Sequence, residues 1–140
     1  YGIVGLAKAL EIAYREMDEH QRYIRGLKDR MIAGLRENIS GVSFNGDIRD
    51  GHSLYTVLNV SFPPSEDNDM LLFNLDINGI SASGGSACNS GAAMGSHVLN
   101  GIKADPDRQG IRFSFSKYNK PEEVDYVLNK LVEILEPAVV

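Results

Sequence analysis

The sequence predicts an α/β (α+β) fold, a small mixed sheet with helices packed on it, led by one long N-terminal helix. Three observations point there. Apolar residues recur at three- and four-residue steps from Ile3 to Leu35; the stretches SLYTVLNVSF and IRFSFS alternate with period two; and a second helical stripe runs through Val124, Val127, Leu128, Leu131 and Leu135. Helical and strand periods interleave with short links, the pattern of layers that share one core.

Taken in order, Ile3, Leu6, Leu10, Ala13, Met17, Ile24, Leu27, Met31 and Leu35 mark a single face of the first helix. Unbroken from Gly2 to about Arg36, it would be on the order of 50 Å long at about 1.5 Å per residue. That exceeds what a 140-residue domain needs, so the helix is expected to reach beyond this domain. The chain opens on Tyr1 with the stripe already under way, and is read as a fragment of something larger. GVSFNG then reads as a short strand ending in a turn. In SLYTVLNVSF, Leu54, Thr56, Leu58, Val60 and Phe62 alternate with Tyr55, Val57, Asn59 and Ser61, a half-buried strand. Asp69 is expected to cap a short helix, MLLFNLDIN, that Gly79 ends before ISAS resumes extended structure. Ser96 is expected to cap another short helix through Ile102, and IRFSFS follows a charged loop. Pro121, Glu122 and Glu123 open the last helix, where a missing amide hydrogen is harmless and negative charge meets the positive end of the dipole.

Composition narrows the function. The 140 residues suit one domain with its own core. Lys and Arg total 14 against 19 Asp and Glu, a formal charge of −5 with no basic block, which argues against a nucleic-acid partner. No apolar run approaches the roughly 18 residues that cross a bilayer, and nothing resembles a signal peptide, so no membrane partner and a cytoplasmic location are expected. The single cysteine cannot form an internal disulfide and fits a reducing compartment.

That cysteine, Cys88, sits in GGSACNSGAAMGSHVL, among small and polar residues that could not enclose a sulfur. An isolated cysteine is ordinarily a buried apolar filler; these neighbours favour an accessible loop instead. Since the thiolate is the nucleophile, something must raise its share at neutral pH, and the Gly-Ser backbone amides or His97 are the nearest candidates. In GIRFSFS, Ile111, Phe113 and Phe115 share one face, leaving Arg112, Ser114 and Ser116 on the other. His20 falls in register with the first helix and His52 lies in a Gly-flanked turn. Three histidines and one cysteine at these spacings do not make a zinc site, so no metal is expected. The acidic run Glu66 to Asp69 lacks calcium-loop spacing.

ISASGGSACNSG, followed by SHVL and then by GIRFSFSKYNKPEEVDYVLNKL, resembles the C-terminal part of the pyridoxal-phosphate-dependent cysteine desulfurases, class V aminotransferases, in the subgroup with a long cysteine-bearing loop. YGIVGLAKALEIA is similar to that family's linking helix, and LNVSF to the first central strand of its small domain. The resemblance implies the small domain of a fold-type I enzyme over residues 1–140, with the linking helix at 1–38, the sheet-and-helix body at 39–140 and the cysteine loop at 83–95. It implies that Cys88 takes the sulfur of L-cysteine as a persulfide, leaving L-alanine, for transfer to an acceptor such as an iron–sulfur cluster scaffold. It further implies that Arg112 holds the substrate α-carboxylate, that the intact protein is a homodimer, and that pyridoxal phosphate is its cofactor. The family's Schiff-base lysine, preceded by histidine, belongs to an upstream large domain. None of Lys8, Lys28, Lys103, Lys117, Lys120 or Lys130 has that context, so no cofactor-binding residue is expected here and the 140 residues alone are expected to be inactive. Ala93, Met94 and Gly95 stand where the family commonly has an acidic residue and a proline. Two other readings remain at this point: the small domain of another class V aminotransferase, such as a selenocysteine lyase, or a cofactor-free thiol or interaction module.

Overall fold

A computed structural model describes residues 1–64, 70–84 and 97–135. In chain order the elements are α1 (Gly2–Asn38), β1 (Ser43–Phe44), β2 (Val57–Phe62), α2 (Leu71–Ile77), β3 (Ser83–Gly84), α3 (His97–Gly101), β4 (Gln109–Ser114) and α4 (Pro121–Leu135). The strands form one sheet in the order β1-β2-β4-β3, and each pairing is antiparallel. The expected mixed sheet is corrected here. β2 and β3 do run the same way, as their helix-bearing connection suggests, but β4 lies between them and pairs with both.

The period-two pattern of the strands decides which face is dry. Leu58, Val60 and Phe62 of β2 and Ile111 and Phe113 of β4 are buried together with Phe115. Onto that face pack Ile24, Leu27, Met31, Ile32 and Leu35 of α1, Leu71 and Leu75 of α2, and Val124, Leu128 and Leu131 of α4. Each such side chain contributes about 1.5–3 kcal/mol through its removal from water, which holds short strands that could not persist alone.

The long first helix forms as expected, but only its C-terminal part packs on this core. Ile3, Leu6, Leu10 and Met17 stay exposed, at 87%, 65%, 51% and 46%. The second strand is shorter than its alternation predicts and starts at Val57. Upstream of it, Lys28 Nζ of α1 donates to Ser53 Oγ and to the Leu54 carbonyl, both at 2.9 Å, holding that segment as a turn with the Leu54 side chain in water.

Helix ends follow local chemistry. α2 stops at Gly79, whose φ of +72° suits a residue without a β-carbon. Gly79 N–H donates to the Asp76 carbonyl and Ile80 N–H to the Leu75 carbonyl, each at 2.9 Å, and the Ile80 side chain folds back into the core. α4 begins with Pro121, and Glu123 reaches back to accept the Lys120 N–H at 3.0 Å. The expected caps Asp69 and Ser96 lie outside the described residues.

Candidate functional site

The face of the sheet turned away from the core carries polar residues of β2 and β3 level with Arg112 of β4. Antiparallel register puts Asn59 of β2 opposite Arg112 of β4, and Ser83 of β3 opposite Arg112 on the other side. Asn45, just past β1, continues the row, its N–H donating to the Asn59 carbonyl at 3.0 Å. The row reads Asn45, Asn59, Arg112, Ser83, and Arg112 is its only charge. Gly110 lies diagonally beside Asn59. A β-carbon there would sit 3.5–3.7 Å from Leu99 Cδ1 of α3, Asn45 Nδ2 and Asn59 Oδ1, so α3 borders this face.

Two arginines of this region differ in how they are satisfied. Arg108 Nε donates to Ser61 Oγ at 2.8 Å, and its terminal amine donates to the Gly41 and Ser61 carbonyls at 2.6 and 2.7 Å. It ties the chain before β1 to β2. Among the described residues Arg112 donates a single long bond of 3.3 Å, to Ser83 Oγ. Its buried Nε has no partner among the described residues. A guanidinium carries five donors in a planar fork, and burying one without an acceptor is costly. Such a group is poised for a planar acceptor with two oxygens, a carboxylate above all.

Cys88 lies outside the described residues, so of the two site residues expected from sequence only Arg112 is placed. His97 is exposed at the start of α3. His20 stands 3.4 Å from Glu16 on α1, and His52 3.5 Å from Asp47 on the surface. Among the described residues no group of histidines, cysteines and carboxylates is arranged to hold a metal. Asn45, Asn59, Ser83 and Gly110 were not singled out by sequence; the alternation around LNVSF places Asn59 on the face opposite Leu58 and Val60, but nothing in it shows which strand lies alongside.

Four of the six lysines hold their amines in other contacts and do not fit pyridoxal phosphate. A lysine that condenses with the cofactor needs a free amine beside a phosphate cradle. Lys8, Lys117 and Lys130 pair with Glu11, Glu16 and Glu133. Lys28 is the buried one; desolvation first, then the nearby Arg25, pushes its pKa down, yet its amine is held by Ser53 and Leu54 on the helix side of the sheet.

The chain matches the class-V aminotransferase family over residues 1–127. It is 38% identical over 137 residues to the cysteine desulfurase IscS of Clostridium botulinum (strain Hall), covering 96% of this chain and 34% of that protein. To the cysteine desulfurase IscS of Methanosarcina thermophila it is 39% identical, covering 96% and 33%. A solved NifS-like protein superposes with a TM-score of 0.74 at 34% identity, over 96% of this chain and 33% of that one. The chain thus spans about a third of the length of the curated relatives it matches. With the fold and nearly the whole length in agreement, the chain belongs to the class-V aminotransferases.

Proposed function

We propose that these residues are the C-terminal small domain of a cysteine desulfurase, in which Arg112 binds the α-carboxylate of L-cysteine and the Cys88 thiolate attacks the substrate sulfur. The observation that carries this is the under-bonded Arg112 guanidinium on the strand next to β3, from which the Cys88 segment departs. Cys88 follows Gly84 by four residues, a tether of at most about 14 Å. In the reaction a sulfur–sulfur bond forms and the carbon–sulfur bond of the substrate breaks. Cys88 thiol and L-cysteine become Cys88 persulfide and L-alanine, with every hydrogen accounted for. The persulfide then passes to an acceptor protein. The similarity to cysteine desulfurases over nearly the whole chain supports this reading over a selenocysteine lyase or a bare thiol module.

Class-V membership implies pyridoxal phosphate as cofactor; we place its lysine in an upstream large domain. The exposed apolar residues Ile3, Leu6 and Leu10 support such a neighbour, as does the relatives' threefold greater length. A homodimer and a cytoplasmic location belong to the same proposal. No helix among the described residues is long and apolar enough to cross a membrane.

The test uses the full-length protein. Cys88→Ala should abolish sulfide release from L-cysteine and the persulfide adduct, while the cofactor's absorption is unchanged. Wild-type turnover in that variant would overturn the assignment. Running L-selenocysteine alongside separates the desulfurase from a lyase.

A further inference from the structure

Asn59 and Arg112 face each other across β2 and β4, with β-carbons about 4.5–5.5 Å apart as opposed residues of an antiparallel pair. Asn59 Oδ1 accepts a 2.9 Å hydrogen bond from Asn45 Nδ2. That bond engages the amide oxygen and leaves the Nδ2–H donors as the part of the amide still to be satisfied. Among the described residues Nδ2 has no acceptor. Across the seam Arg112 offers a buried Nε–H with no acceptor either. Donors on two opposed residues of one face are thus without an acceptor among the described residues. Next to them Gly110 presents no side chain, and Leu99 supplies an apolar border. A seam of this kind is completed by an anion with two oxygens.

We infer that Asn59 is a second carboxylate-binding residue: its Nδ2–H donates to the same α-carboxylate that Arg112 grips, and Asn45 is the residue that sets its amide. The inference deepens the proposed function and rests on Arg112 being the carboxylate site. A neutral amide adds directionality to the charge of the guanidinium. It fixes the rotation of the carboxylate about its carbon–carbon bond, and with that the direction in which the rest of the amino acid leaves the sheet. Discrimination follows, because a ligand with an amide in place of the carboxylate brings two hydrogens of its own toward donors that need an acceptor.

The probes are L-alanine and L-alaninamide, titrated calorimetrically into the full-length, cofactor-loaded protein. Wild type should bind L-alanine more tightly. Asn59→Ala should lower L-alanine affinity about tenfold, the effect of one hydrogen bond to a charged group, and leave L-alaninamide within about twofold. Asn59→Asp, which keeps an acceptor for Asn45 and so preserves the fold, should lower L-alanine affinity further. In an Arg112→Lys background the Asn59→Ala loss should persist, since Asn59 touches the ligand itself. Equal losses for both ligands, no loss, no wild-type preference for L-alanine, or a loss that vanishes in the Arg112→Lys background would each overturn the inference. Failure of the desulfurase reading looks different: wild type would release no sulfide from L-cysteine, yet the split between the two probes and its dependence on Asn59 would remain.

Discussion

Gly34 of α1 lies so close to Leu128 of α4 that a β-carbon at position 34 would stand nearer to Leu128 Cδ1 than two carbons can pack, and within 3.2 Å of its Cγ. The close approach brings α4 down beside α1 and lets both helices cover one sheet.

Gly34→Val should cost about 1–3 kcal/mol, the usual penalty for overpacking a filled contact, partly offset because Gly is a poor helix former. Adding Leu128→Ala should recover part of that loss, since it removes the atoms in conflict. Denaturant melts of the single and double variants give the coupling; strict additivity would mean the two residues do not collide.

A second link between these helices is electrostatic. Arg30 of α1 donates two bonds to Asp125 of α4, at 2.6 and 2.7 Å. That hydrogen-bonded pair lowers the Asp125 pKa below its ordinary value, with the charge of Arg30 a further cause. A carboxylate whose folded pKa is depressed adds stability above the unfolded pKa and loses it as pH falls through the folded one. Asp125→Asn should therefore lower the melting temperature at pH 7, with the difference from wild type closing as pH falls from about 4.5 to 2. Both partners are half exposed, so 1 M salt should shrink the effect. A difference that holds unchanged at pH 2 would point to packing instead.

The helices were the most legible part of the sequence, because a period near 3.6 is carried by neighbouring residues. α4 needed only Pro121, the two glutamates and its apolar face. α1 was legible in extent and not in burial. The stripe from Ile3 to Met17 has the same spacing as the stripe from Ile24 to Leu35, and only the second meets a sheet. Burial depends on what lies opposite, which periodicity does not record. Strand direction was lost for a related reason. Alternation in β2 and β4 assigns faces, but the insertion of β4 between β2 and β3 joins residues about fifty positions apart, such as Asn59 and Arg112. Arg112 could be singled out from its face and its resemblance; its lack of acceptors appeared only when its neighbours were in place.

Lys28 offers a test at alkaline pH. It is 5% exposed and, among the described residues, hydrogen-bonded to Ser53 and Leu54, with desolvation the main cause of its lowered pKa. Between that lowered value and the ordinary 10.5, the unfolded chain binds more protons than the folded one. Stability from this residue thus rises with pH through that window. Lys28→Met should remove the rise and leave stability at pH 7 within about 1 kcal/mol of wild type, since it ends the burial of a charge while water can reach the exposed Leu54 segment. Retention of the alkaline slope in chemical melts from pH 8 to 10.5 would assign it to another group.

The contrast between Arg108 and Arg112 yields a paired prediction, because the same side chain on the same sheet is satisfied in one place and unsatisfied in the other. Arg108 makes three bonds to Ser61 and Gly41 and ties the chain before β1 to β2. Truncating it removes all three bonds, so Arg108→Ala should cost about 1–3 kcal/mol of stability and leave KM for L-cysteine in the full-length enzyme near wild type. Among the described residues Arg112 has one long bond to Ser83 and a buried Nε without a partner. Arg112→Lys removes an unfavourable burial, so stability should hold or rise slightly. An ammonium cannot reproduce the two parallel bonds of the fork, and KM should increase by about tenfold to a hundredfold, with kcat falling less. Thermal melts and steady-state kinetics on the two variants read both axes at once. If Arg112→Lys destabilises the fold while KM stays put, Arg112 is a structural residue of the sheet and the carboxylate site lies elsewhere.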